Sequence, residues 1–481
     1  MVSGKKIVKN SVILITSQIV SKFINLGLIL VLTRMLGSGG YGLYSFSFAY
    51  AGLFVVIIHL GINNLLIREV AKFKDRADEF IGVSLPLVLI LSCIALLILN
   101  SIPLLAGWLY EERVITLVFG FYFVFDTLGR YFLSVARAFE RMEYEGILNI
   151  IERFLLIIIA SLTWIFDSTL LLLVSLFTFV MFCKATVSLI LVRKKFVRFD
   201  LRWQSDYALE IVKDAYPFAL VGLFAAISAR GDLLLLKFFH STEVVGIYSA
   251  ARKIIDSLTL ISENIHFAVF PAISVFYLNQ KIKFNQTFQH TLHFMILIAI
   301  PVSVGLFILA PKIITFLFDP EFQSAYIALR WLSIALGLIF VRHAFTLVLN
   351  AVGRQHFFAI IFGISMAVNL LLNFILIPHY QILGASLAAI AAELVILIIS
   401  LPILIKYVNP DFGWIKFIKT VITVILLYAL INAIQDWSFL LIILISTLSY
   451  VALLLGLRLY SIEDLKKVRE LLSLKILGKN S

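Results

Sequence analysis

Apolar residues in this chain come in blocks of about twenty, the length a helix needs to cross a bilayer. Windows of that kind recur at 11–35, 41–62, 80–102, 114–138, 146–166, 168–192, 215–236, 244–271, 288–310, 324–350, 355–377, 383–405, 416–434 and 438–460. In hydrocarbon only a helix or a closed barrel satisfies every backbone N–H and C=O, and blocks of this length suit the helix. The pattern predicts an all-α, polytopic membrane protein of about fourteen transmembrane helices. Polar residues inside the blocks fall on helix faces. Ser11, Gln18, Lys22 and Asn25 recur at intervals of seven, four and three, which places them on one face of the first span. An ammonium at Lys22 would cost roughly 3 kcal/mol against lipid, so that face is expected to look into a wet interior. In the eighth block Ser249, Arg252, Asp256, Thr259, Glu263 and His266 alternate by three and four with Lys253 beside them, and this stripe is expected to line a water-filled cavity. Between the first two blocks, Arg34-Met-Leu-Gly-Ser-Gly-Gly-Tyr-Gly-Leu-Tyr-Ser-Phe46 is a Gly-rich turn expected to send the chain straight back.

Composition agrees: 62% of the 481 residues are hydrophobic and only 14% charged, where a soluble domain is about 45–50% apolar. The net charge of +12 would suggest nucleic acid in a soluble protein. Here Arg68, Lys72, Lys74, Arg141, Arg193, Lys194 and Lys195, among others, gather in the even-numbered connections, and the opposite connections carry little beyond Arg113, Lys237 and Lys312. That asymmetry puts both termini in the cytoplasm and accounts for most of the positive charge without a nucleic acid. The longest polar connection, 193–214, divides an N-lobe (1–192, six helices) from a C-lobe (215–405, six helices). Residues 406–460 hold two further helices and 461–481 an amphipathic cytoplasmic tail opening on the capping box Ser461-Ile-Glu-Asp464. The two lobes carry traces of a parallel duplication at offsets near 204 to 215. Gly42-Leu-Tyr-Ser45 recurs as Gly246-Ile-Tyr-Ser249, Pro86 as Pro301, and Ala138-Phe-Glu-Arg141 as Ala351-Val-Gly-Arg354.

No enzyme signature is present. Gly37 to Gly42 fits G-x-G-x-x-G but joins two spans, outside any βαβ unit, and there is no Walker A sequence. Cys93 and Cys183 lie in apolar runs without His or Cys neighbours, so neither a disulfide nor a metal site is expected, nor any cofactor. What remains are ionisable groups at membrane depth. Asp126 with Arg130 and Arg252 with Asp256 are spaced as i,i+4 pairs, which leaves open mutual neutralisation or a role in a pathway. Lys184 and Arg330 are expected to snorkel from span ends, and His290, His293 and His343 to be packing or interfacial residues. Lys22 has no carboxylate on its own helix. Walls bearing Lys22, Arg252, Lys253, Arg153 and Arg130 suit an anion such as a phosphate or diphosphate.

Arg34-Met-Leu-Gly37 with Tyr41-Gly-Leu-Tyr44, Gly61 to Ala71, Pro217-Phe218, Asp232, Gly246 to Ala251, Pro271, Asn350 to Arg354, and Asn369 through Asn373 to Pro378, Gly384 and Ala385 together resemble the oligosaccharide flippase family. This is the polysaccharide-biosynthesis branch of the superfamily that also holds multidrug and toxin extruders. Gln381 departs from the pattern, since the family often has glycine there. The resemblance implies two six-helix lobes in a V around a cavity of alternating access. It implies a polyprenyl or dolichyl (di)phosphate-linked oligosaccharide moved from the cytoplasmic to the outer leaflet of the plasma membrane. On that reading Lys22, Arg252, Lys253, Arg153 and Arg130 face the phosphate, while Gln18, Asn25, Ser249, Thr259 and His266 wet the sugars. Asp256, Glu263, Glu393 and Asp126 are candidates for coupling to Na+ or H+, and glycan-assembly enzymes are partners. Three alternatives stay open: an ion-coupled exporter of cationic drugs, a membrane glycosyltransferase or ligase using Asp319 with Glu321 or Glu111 with Glu112, and an accessory subunit or lipid scramblase with no specific substrate.

Overall fold

The computed structural model describes residues 4–409, 414–434 and 437–456, apart from the side chains at 4–20, 22, 23 and a few later positions. The described residues are helical almost throughout, and the predicted tail at 461–481 lies outside them. The helices are α1 (Gly4–Leu53), α2 (Val55–His59), α3 (Ile62–Lys72), α4 (Ala77–Leu105), α5 (Tyr110–Ala138), α6 (Glu143–Ile165) and α7 (Leu170–Lys195), then α8 (Ser205–Phe239), α9 (Thr242–Asn279), α10 (Lys281–Leu317), α11 (Ala325–Ala351), α12 (Gln355–Leu404), α13 (Trp414–Ala433) and α14 (Phe439–Gly456). Ten stretches of the described residues are long and apolar enough to cross a membrane, and two shorter apolar helices follow them. The protein is a multi-pass membrane protein.

Two of the long helices are hairpins. Gly37 breaks α1 at φ 63°, ψ −175°, and neighbouring registers give the direction of each half. Gly27 packs on Ile157 and Met35 on Thr163, so the first half runs parallel to α6. The second half runs parallel to α5, with Ser47 bonded to Thr116 and Phe48 against Phe123. Helix α5 is itself parallel to α7, since Thr178 reaches Val118 and Gly129 packs on Ala185. As α6 and α7 are joined by the short connection 166–169 and run oppositely, the chain reverses at Gly37, as the Gly-rich turn predicts. Helix α12 reverses at Gln381 (φ 49°, ψ −124°). There the Gly384 backbone closes on Leu376 and Ile377, and Ser365 donates to the Ala392 carbonyl on the returning half.

The second span departs from the single helix expected over 41–62. It breaks at Phe54 into the single turn of α2 and restarts as α3 after Leu60 (φ 42°) and Gly61 (φ 80°). A Cβ at Gly61 would meet Phe218 and the Ala215 carbonyl of α8, so the glycine serves both the left-handed turn and the close approach of α8.

The chain packs as two units, one up to Ser249 and the other from Ala250, with the dividing line inside α9. In the first unit, Ile62, Leu65, Phe80, Ile81, Tyr131, Val135, Ile211 and Ala215 build a core joining α3, α4, α5 and α8. The connection between α7 and α8 is shorter than the polar stretch 193–214 suggests and is pinned down. Phe199 is buried, Arg193 stacks on its ring, and the Arg202 N–H donates to the Gly82 carbonyl. In the second unit α10 lies antiparallel on α11, Ser303 facing Gly337 and Arg330 reaching the Phe307 carbonyl, and α13 and α14 pack on α10. Large apolar side chains such as Leu97, Leu105 and Phe179 project outward, as expected where lipid is the solvent.

The duplication read from the sequence has structural counterparts. Helices α5 and α11 end alike, in a left-handed residue at the matched positions Glu140 (φ 61°) and Gly353 (φ 73°). At each, the following arginine N–H closes a six-residue loop, Arg141 to the Ala136 carbonyl and Arg354 to the Leu349 carbonyl. The Gly42 and Gly246 motifs meet. A Cβ on Gly42 would land on the Thr242 carbonyl and one on Gly246 on the Ser38 carbonyl. Equivalent residues of the two motifs thus contact each other reciprocally within the first unit.

Candidate functional site

In the first unit, residues of α5, α6 and α7 assemble a charged cluster inside apolar surroundings. Asp126 lies near the middle of α5, and one helical turn later Arg130 reaches it, Nη2 to Oδ2, at 2.8 Å. Helix α6 contributes Glu152, with Arg153 Nη2 at 3.5 Å from its Oε1. From α7, Lys184 is buried between both acids, its Nζ 2.5 Å from Glu152 Oε2, 3.0 Å from Asn149 Oδ1 and 3.7 Å from Asp126 Oδ1. Asp126, Glu152 and Lys184 are all buried. Two carboxylates therefore face three cations.

The surplus positive charge is carried at the surface of the cluster. The Arg130 side chain is 64% exposed and that of Arg153 31%, whereas Lys184 is 5% exposed. Facing lipid at this depth, a guanidinium would cost several kcal/mol, so these two are expected to border water. Arg230 of α8 extends the positive face. It donates to the Gly52 carbonyl at the end of α1, stacks on Phe123 and lies within electrostatic reach of Arg130. A Cβ on Gly52 would occupy the guanidinium's place. Paired guanidiniums with their outer edges in water can take a phosphate bidentately, while the carboxylates behind them hold their orientation.

Lys184 overturns the expectation of a side chain snorkelling from a span end: it is a buried, ion-paired group. Nothing in the sequence pairs it with Glu152, since the two lie on different helices. Of the other predicted residues in this unit, Asn25 is half-buried on the first half of α1, and the side chains of Gln18 and Lys22 lie outside the described residues. Ser249 is buried, and its Oγ has no hydrogen-bond partner.

The second unit gathers the rest of the α9 stripe. Arg252 Nε is 3.3 Å from Asp256 Oδ1, with Lys253 beside them, and Thr259 Oγ1 bonds back to the Ile255 carbonyl. Glu263 is half-buried, and His266 contacts the backbone of His343. Glu393 of α12 is ion-paired with Arg342 of α11 at 2.7 Å. His343, expected to be a packing or interfacial residue, is hydrogen-bonded to Ser262 at 2.7 Å. Among the described residues no group of three or more His, Cys, Asp and Glu is arranged to hold a metal ion.

Comparison with known proteins yields one consistent result. The model of a family described as polysaccharide biosynthesis protein matches residues 7–276, and the MatE family model matches residues 217–375. A Shigella flexneri protein named as an O-antigen transporter is 25% identical over 406 residues, 79% of this chain and 94% of its own. A Haloferax volcanii protein named as a flippase is 29% identical over 167 residues, 33% of this chain and 34% of its own. The structure of a lipid II flippase, MurJ, in an inward-closed conformation has the same fold, with a TM-score of 0.72 at 16% identity over 93% of this chain and 98% of that one.

Proposed function

This chain belongs to the polysaccharide biosynthesis protein family, and from that membership and its cationic cluster we propose that it is a flippase for a lipid-linked oligosaccharide. The substrate is a glycan on a polyprenyl or dolichyl phosphate or diphosphate, carried from the cytoplasmic to the outer leaflet of the cell membrane by alternating access, with both termini cytoplasmic. Relatives named as flippase and O-antigen transporter support a transport reading over a catalytic one.

The observation that carries the reading is the exposed Arg130 with the half-buried Arg153, each backed by a buried carboxylate. They receive the phosphate, with Lys22 and, in the second unit, Arg252 and Lys253 as further cationic candidates. The acyl tail stays in the bilayer throughout, so only the head group crosses, and the polar side chains of α1 and α9 keep its sugars hydrated. An Na+ or H+ gradient, or the supply of substrate by glycan-assembly enzymes, drives the cycle.

The test is translocation of a short fluorescent lipid-diphosphate oligosaccharide by the purified chain in liposomes. Arg130→Gln and Arg153→Gln each remove charge-assisted hydrogen bonds and should slow translocation by about ten- to a hundredfold. Arg130→Lys, which keeps the charge and loses the fork, should fall between. Lys22→Ala reports on the first span in the same assay. Undiminished translocation by the arginine variants would remove the cluster from the mechanism, and no translocation by the parent would remove the function.

A further inference from the structure

Where α5 and α7 end and α6 begins, three cations of the first unit are held over a strip of aromatic rings. Tyr144 stands in the first turn of α6, and Lys195, the last residue of α7, donates from Nζ to its phenol oxygen at 3.0 Å and lies 4.9 Å from its ring centroid. Arg141, in the connection between α5 and α6, lies 5.5 Å from the same centroid. Phe196 packs edge-on to Tyr144 and at a tilt on Phe139. Lys74, from the connection between α3 and α4, lies 5.7 Å from the Phe139 centroid.

An aromatic face fixes a cation without neutralising it. Of the acids on the α5–α6 side, Glu143 is bonded to Arg141 and Glu145 to Arg137. Lys74 and Lys195 have no carboxylate within ion-pair distance among the described residues. All three cations are exposed. Lysines placed only by the topology of the chain would extend freely into water, whereas these converge on one surface.

Tyr144 shares its face of α6 with Ile147, Ile151, Leu155 and Ile158, all of them exposed. From Tyr144 to Leu155 the helix rises about 16 Å, close to the ~15 Å of hydrocarbon in one leaflet. Positive charge thus stands at the level of a head group, and apolar side chains follow along the path of its acyl chain. A soluble phosphate would use only the first of these.

We propose that Lys74, Arg141, Tyr144 and Lys195 bind the head group of an anionic phospholipid whose acyl chain lies along Ile147, Ile151 and Leu155. Its phosphate oxygens accept from the three cations. The lipid ties together the ends of α5, α6 and α7, the helices that carry Asp126, Arg130, Glu152, Arg153 and Lys184. The inference rests on the membrane-spanning fold and is independent of what the protein transports.

Native mass spectrometry of the full chain in neutral detergent, titrated with phosphatidylglycerol or phosphatidylcholine, provides the test. The parent should bind phosphatidylglycerol the more tightly. A lysine near a membrane surface contributes about fivefold to such binding, so Lys74→Gln/Lys195→Gln should weaken it by about twentyfold or more. Lys74→Arg/Lys195→Arg keeps the charges and should keep the binding. Lys281→Gln/Lys283→Gln removes the same charge from the start of α10 and should change it less than about twofold. Equal affinity of the parent for the two lipids, undiminished binding by Lys74→Gln/Lys195→Gln, or an equal loss in the α10 variant would overturn the proposal. Two competitors separate the possible occupants. Displacement of the lipid by an equal concentration of inorganic diphosphate would assign the surface to a soluble anion. Preferential capture of the lipid-diphosphate oligosaccharide would assign it to substrate loading, and either result overturns the proposal.

Discussion

At the scale of single residues, the most consequential side chain is Lys184. It is closed in by Glu152, Asn149 and Asp126, and it is the nearest cation to the buried Glu152 carboxylate. Lys184→Met leaves Glu152 with only Arg153 at 3.5 Å, while Asp126 keeps Arg130, and should destabilise the protein by about 3 kcal/mol. Lys184→Met/Glu152→Gln removes charge from both sides and should recover a large part of that loss. Thermal unfolding in detergent checks both, and equal melting of the single and double variants would show that the pair is not coupled. Asp126 with Arg130 was legible in the sequence, because an i,i+4 spacing on one helix fixes proximity. Glu152 with Lys184 was not, because the register between α6 and α7 is set by side-chain packing that no spacing records.

At the scale of elements, the turns show how far a backbone requirement can be read from residue types. Gln381 stands where the family resemblance implies glycine, and its φ of 49° is one that glycine adopts without strain. Gln381→Gly should therefore raise stability by about 1 kcal/mol, net of the extra freedom glycine gives the unfolded chain. A melting temperature unchanged or lowered in detergent would show that the glutamine side chain compensates for its backbone. The α1 hairpin was legible in the same way, from its glycines. The break at Phe54 to Gly61 was not, because the run Val55-Val-Ile-Ile58 is as apolar as an unbroken span, and the left-handed residue Leu60 carries no signal of its conformation. Gly61, at φ 80°, also gives α8 room to approach, a contact far away in sequence.

At the scale of the molecule, the fourteen apolar blocks were enough to give the class of fold, because lipid leaves so few ways to satisfy a backbone. The grouping of side chains inside each unit was not, since it depends on helices packing at particular heights. Where the two repeats touch, close approach is enforced by the absence of Cβ atoms at Gly42 and Gly246. Gly42→Ala forces the second half of α1 away from the start of α9 and should cost about 1–3 kcal/mol, as should Gly246→Ala. In the double variant the cost should fall short of the sum, because one displacement relieves both clashes. Strict additivity in thermal unfolding would mean that the two glycines act at separate contacts.

The reciprocity of that contact also bears on descent. Ser38 and Gly42 stand to Thr242 and Gly246 as one copy of a segment stands to another. In an ancestor half as long, a single gene would have supplied both sides by pairing with itself, and every mutation at the contact would have struck twice. After fusion the two sides would have become separate targets for selection, so that a change beside Gly42 no longer carried the same change beside Gly246.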